Sequence, residues 1–189
     1  MGPNLIVLLI VVAVIAINYI VLRQRVEKLK ALSAVFGGRA FIKFFVPTFV
    51  GRYDASEFIV RLISGGKNRP PSLEVQVVTS LDLRMTVRPE SQGAAFLKTL
   101  RLVKDVQIGD PLFDERFIVS ASDDMGAQRY FSSAEKKDAV RAILELGWHS
   151  ITFSECVVTA HKVRYSDNDI TPEAITSAVK LLGTLARPF

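Results

Sequence analysis

The chain has 189 residues, 49% of them hydrophobic and 23% charged, and a formal net charge of +5. One cysteine, Cys156, excludes an intrachain disulfide and fits a reducing compartment, while two histidines leave a zinc site short of ligands. The charge is unevenly placed: residues 23–104 carry 15 Lys and Arg against 6 Asp and Glu, and residues 105–189 carry 9 against 13.

Leu5 to Leu22 form an apolar run in which Asn18 is the only strongly polar residue. As a helix this run is about 27 Å long, close to the thickness of a bilayer's hydrocarbon core. It has no polar stripe, and Tyr19 sits near one end, at headgroup level. No basic residue precedes the run and no small-x-small site follows it, so the expectation is a retained anchor rather than a cleaved signal. Arg23, Arg25, Lys28 and Lys30 follow, with Glu27 the only acid among them, and the positive-inside rule then places the large domain in the cytoplasm. The expected organisation is an anchor at 1–22, a juxtamembrane helix or linker at 23–38, and a soluble domain at 39–189.

The helix is expected to run on to Ala34, with a short seam of Val26, Leu29 and Leu32 or Ser33 that suits a partner helix, and to stop at Gly37-Gly38. Phe41 to Val50, interrupted by Pro47, suits an edge strand or an irregular segment. Phe58, Val60 and Leu62 alternate in a second strand, and Gly65 to Pro71 is a loop. Leu73, Val75 and Val77 alternate with Glu74 and Gln76, and Leu83, Met85 and Val87 with Asp82, Arg84, Thr86 and Arg88, which predicts an antiparallel sheet with one wet face. Leu97 to Val106 is ambiguous between helix and strand.

Arg116 to Ser122 reads as a strand with Phe117, Val119 and Ala121 inward. Ser132 and Glu135 have capping-box spacing ahead of a helix striped by Ala139, Ile143 and Leu146, ending at Gly147. Ser150 to Tyr165 supplies one or two strands, and Thr171-Pro172 opens a last helix with Ile175, Val179 and Leu182 inward. The predicted fold class is α+β: a transmembrane helix, a mostly antiparallel β domain with a helical insertion, and a C-terminal helix. The element count is that of pleckstrin-homology-like barrels, an analogy that does not fix function.

The most distinctive string is Gly109-Asp110-Pro111-Leu112-Phe113-Asp114-Glu115-Arg116-Phe117. It resembles a G-D-P-x-F-D-x-x-F segment of bacterial membrane-anchored proteins of unknown function, and that resemblance implies no activity. Asp110, Asp114 and Glu115 have the chemistry to hold a hard cation. Gly-Asp-Pro is equally a turn, with Asp accepting from backbone amides, Phe113 and Phe117 in the core, and Arg116 paired with an acid; this structural reading is preferred. Cys156 and His161 have no third group and no oxyanion element to complete a nucleophilic site.

Gly65-Gly66-Lys67 lacks the spacing of a phosphate-binding loop, and no dinucleotide fingerprint or other cofactor motif occurs. The aromatic residues fall mostly at core positions, which argues against nucleic acid as a partner. Arg23, Arg25, Lys28, Lys30, Lys67 and Arg69 are the candidates for contact with anionic lipid or an acidic protein. The reading is thus a membrane-anchored, non-enzymatic interaction module at the cytoplasmic face of a bacterial inner membrane, with self-association through the Val26–Leu29 seam. A metal-dependent hydrolase built on the acidic cluster and an accessory subunit of a larger membrane complex are the alternatives.

Overall fold

A computed structural model describes residues 3–54, 56–90 and 105–188. The element order is α1 (Pro3–Lys30), α2 (Ser33–Phe36), β1 (Arg39–Lys43), β2 (Val46–Tyr53), β3 (Ser56–Ile63), β4 (Ser72–Val78), β5 (Met85–Pro89), α3 (Pro111–Arg116), β6 (Phe117–Ala121), α4 (Asp124–Tyr130), α5 (Ala134–Glu145), β7 (Ser150–Ser154), β8 (Val157–Val163) and α6 (Pro172–Ala186), with a 3₁₀ turn (Asp167–Ile170) before α6.

The strands form one antiparallel sheet of eight, in the order β1-β2-β3-β4-β8-β7-β5-β6. This is the expected α+β class. The order is linear, with β1 and β6 at the two edges, so the barrel analogy does not hold among the described residues. The alternation read from sequence sets the two faces. Phe58, Val60, Leu62, Leu73, Val75 and Val77 are fully buried, while Ile59, Arg61, Glu74 and Gln76 between them are part-exposed. Arg61 faces Glu74 across the β3–β4 ladder, a favourable opposite-charge pair on the wet face.

Helices cover the apolar face. α6 lies over β4 and β8, α5 packs on α6 and β5, and the carboxyl-terminal third of α1 lies over β1 and β2. Val26, Leu29, Leu32 and Phe36 are buried there, and Leu29, Leu32 and Phe36 belong to the same core as Phe49, Phe58 and Ile175. The seam expected to meet a partner helix is therefore occupied by the chain's own sheet. An i, i+3 seam fits either surface, and only the sheet's position decides between them. Gly38 makes the connection possible: its φ is +88°, and a Cβ there would stand 2.1 Å from the carbonyl oxygen of Val50.

Several local expectations need correction. The segment Phe41 to Val50 is not one strand but the β1–β2 hairpin, turning at Phe44-Phe45. Pro47 is tolerated because β2 pairs with β3 only from Thr48 onward, so its missing N–H removes no rung of that ladder. The capping box of Ser132 and Glu135 does not form: the Ser132 hydroxyl donates to Arg129 O at 2.7 Å, and α5 starts after Ser133. Leu146 is 49% exposed, and Val140 and Leu144 fill the stripe instead. Thr171 caps α6 as expected, accepting from the Ala174 amide at 3.3 Å. Most of Leu97 to Val106 lies outside the described residues.

Leu29 is fully buried, so Leu29→Ala should cost about 2–5 kcal/mol of domain stability. Leu9→Ala, in the 55%-exposed stretch of α1, should leave it unchanged. Chemical denaturation of the detergent-solubilised chain checks this, and equal, negligible effects of both substitutions would show that α1 is not part of the core.

Candidate functional site

In the acidic string Asp110 and Asp114 have local partners. Asp110 is the N-cap of α3 and accepts from the Phe113 amide at 3.2 Å, with Pro111 in the first turn. The Lys137 ammonium donates to its other oxygen at 2.5 Å. Asp114 accepts from the amides of Ile108 (2.9 Å) and Gly109 (3.1 Å), which closes the turn. Glu115 is exposed. Phe113 and Phe117 pack in the core with centroids 4.9 Å apart and rings tilted by 54°, and Arg116 pairs with Glu145 at 3.2 Å. No group of three or more His, Cys, Asp or Glu side chains with metal-binding geometry occurs among the described residues. Of the oxygens that the hydrolase alternative needs, those of Asp110 and Asp114 are bonded to backbone amides and the Lys137 ammonium.

The Lys137 bond, then the Phe113 amide, hold the Asp110 carboxyl below its ordinary range, against some desolvation. A lowered folded value means stabilisation that is present above the unfolded carboxylate pKa of about 4 and lost as pH falls through the folded value. Asp110→Asn should therefore flatten the decline of stability below about pH 4, measured by denaturation midpoints across pH. An acid limb unchanged by the substitution would contradict the assignment.

Cys156 is exposed in the β7–β8 turn, whereas His161 pairs with Ser150 near the other end of β8, so the two do not meet. His149 and His161 have ring centroids 6.4 Å apart. A groove of about 780 Å³ runs past Tyr53, Asp54, Glu135, Lys180 and Arg187 at the end of the sheet where α6 finishes. The polar groups around this helix end serve the fold. Thr79 donates to Ala186 O (2.6 Å), Tyr130 to Leu185 O (2.5 Å), and the buried Lys136 ammonium to Thr184 O (2.5 Å) and Arg187 O (2.8 Å). Together they satisfy the orphan carbonyls of α6. Burial lowers the Lys136 pKa and raises that of Tyr130.

The opposite end of the sheet is where α1 enters. The residues of α1 from Ile6 to Val21 are exposed, and the helix first meets the domain around Leu22 to Val26. Asn18 donates to Val14 O at 2.8 Å, so its side-chain amide finds a partner within the helix. The Arg25 guanidinium donates to the Ser64 hydroxyl at 2.6 Å, at the start of the 64–71 loop that carries Lys67 and Arg69. Lys28 pairs with Asp167 at 2.6 Å and Lys30 with Glu27 at 2.8 Å; both pairs are exposed and contribute little to stability.

Of the six basic candidates, the structure thus brings Arg23, Arg25, Lys67 and Arg69 to one end, and Arg23, Lys67 and Arg69 are in no ion pair among the described residues. Lys28 and Lys30 are neutralised by neighbours. The β1–β2 turn, which sequence reasoning missed, lies at this same end and adds Lys43, Phe44 and Phe45.

No protein-family model and no curated protein matches the chain. Among solved structures it is similar to the crystal structure of the mycobacterial trehalose monomycolate transport factor A, TtfA, with a TM-score of 0.51 and 10% sequence identity. The match covers 89% of this chain and 98% of that one, and at this identity the likeness is one of fold.

Proposed function

We propose that the chain is a single-pass membrane protein whose folded domain is a non-enzymatic interaction module, held with its basic end against the cytoplasmic face of a bacterial inner membrane. The observation that carries this reading is the course of α1. One unbroken helix, Pro3–Lys30, has an exposed apolar stretch long enough to cross a bilayer and then enters the core beside Arg23, Arg25, Lys67 and Arg69. A helix continuous from bilayer to core leaves the domain little freedom to turn that end away from the lipid. Each basic residue near an anionic surface contributes about 1 kcal/mol of attraction. The cytoplasmic orientation rests on Arg23, Arg25, Lys28 and Lys30 flanking the apolar stretch.

The fold likeness to a protein titled a transport factor supports, within this reading, an accessory subunit of a larger membrane assembly.

A fluorescent protein that matures only in the cytoplasm, fused after Phe189, should give a bright signal at the membrane. A dark fusion, together with an active phosphatase fusion at the same position, would place the domain on the other side and refute the orientation.

A further inference from the structure

We infer that the β1–β2 hairpin tip, Phe44-Phe45, is a second membrane contact: an aromatic wedge that inserts into the interfacial layer of the bilayer crossed by α1. The inference deepens the proposed function and rests on α1 being a transmembrane anchor.

Three observations carry it. The first is exposure. Phe44 is 87% exposed and Phe45 82%, the highest values of any large hydrophobic residue in the described chain, the apolar stretch of α1 included. A folded domain gains nothing from two adjacent phenyl rings held in water.

The second is backbone conformation. Both residues have positive φ, 49° and 62°, in a two-residue hairpin turn. That pattern favours Asn-Gly or Gly-Gly, and for bulky residues it is a costly conformation. The chain supplies its own comparison. The β7–β8 turn has the same pattern, with φ of 46° and 62°, and carries Glu155-Cys156, while the β2–β3 turn carries Asp54 at φ 48°. Those two turns lie at the end of the sheet away from the entry of α1. Among the described residues, aromatic side chains occupy such a turn at the end where the anchor enters and not at the other end.

The third is level. The β2–β3 register, carried back past Thr48↔Arg61, sets the tip beside Ser64, which accepts from Arg25. The lengths agree: from Phe36 back to Arg25 the helix rises about 16 Å, and from Arg39 to Phe44 the strand advances about 17 Å. The tip is therefore level with Arg25, within one helical turn (about 5 Å) of Leu22, where the apolar run ends. An interfacial layer is roughly 5–8 Å deep on each side of the hydrocarbon. Lys43 beside the tip and Lys67 and Arg69 on the neighbouring loop supply cations at headgroup level, and rings flanked by cations suit an anionic interface. Anchor and wedge would then form two points of attachment, which fix the domain's rotation about α1 as well as its height.

The test uses the full chain reconstituted in vesicles of mixed zwitterionic and anionic phospholipid, with single-cysteine fluorophores quenched by lipids that carry a quencher near the headgroup or deep in the acyl chains. Three sites are labelled: Phe44→Cys in a Cys156→Ser background, Ile15→Cys in the same background, and native Cys156. The expected result is strong deep quenching at position 15, strong shallow quenching at 44, and little of either at 156. If position 15 is not quenched, the anchor reading fails. If 15 is quenched but 44 behaves like 156, the anchor stands and the wedge is refuted. A label at 44 that is shielded from water yet unquenched by lipid would assign the tip to a protein surface, a second copy included, and would also refute it. A variant that should fold at least as well, Phe44→Asn with Phe45→Gly, separates contact from stability. It should raise the denaturation midpoint while reducing severalfold the shallow quenching of a label at Lys67→Cys. Unchanged quenching there would show that the tip does not hold the domain to the lipid.

Discussion

Leu29 near the end of α1 and Leu32 in the turn after it are both fully buried beneath the sheet, whereas residues 6–21 of the same helix are exposed. Burying one such side chain is worth roughly 1.5–3 kcal/mol, and Val26 and Phe36 add to it. Detaching α1 from the sheet would uncover β1 and β2 and open the core around Phe49 and Phe58. The helix is thus shared by two environments, an apolar stretch with no protein around it and a packed domain interior, with no linker between them. Where the basic residues point, which hairpin lies near the apolar stretch, and which end of the sheet faces away all follow from this one packing contact.

The contact also gives the charge asymmetry a geometry. The basic half of the sequence contains the last turns of α1, α2 and β1 to β5, and Arg23, Arg25, Lys67 and Arg69 gather at the α1 end. The acidic half contributes α3 to α6, where Asp110 and Asp114 are consumed in capping and turn bonds rather than presented as a ligand site. Asp169 follows the same pattern. Burial works against its charge, but the Lys162 ammonium at 2.7 Å and the amide and hydroxyl of Ser166 outweigh it and keep its carboxyl low. Polar atoms near the core are used to finish helices and turns, while Arg23, Lys67 and Arg69, in no ion pair among the described residues, lie where α1 enters.

Much of this was legible in the sequence. The apolar run, the alternation in β3, β4 and β5, and the Thr171-Pro172 start of α6 each depend on a local period or a local hydrogen bond, which neighbouring residues reveal. The missed features depend on surfaces brought together from afar. Val26, Leu29 and Leu32 announce that something covers them but not what, so a partner helix and the chain's own sheet look alike. The Ser132–Glu135 spacing fits a capping box, yet the hydroxyl finds Arg129 O first. The β1–β2 turn has no glycine, asparagine or aspartate to mark it, so the sequence of Phe41 to Val50 suits an edge strand or an irregular segment as well as a hairpin. The feature that hid the turn, aromatic residues where turn formers belong, is what marks it as a surface under a different demand.

The central claim is that α1 runs unbroken from its apolar stretch into the core. Hydrogen–deuterium exchange of the full chain in lipid bilayers, followed across Leu22–Lys30, tests it most directly. The account predicts slow exchange throughout that stretch, with the amides of Val26 to Lys30 as protected as those of β3. Fast exchange at Arg23 to Lys28, between a protected apolar stretch and a protected core, would reveal a hinge there and contradict a fixed orientation of the domain.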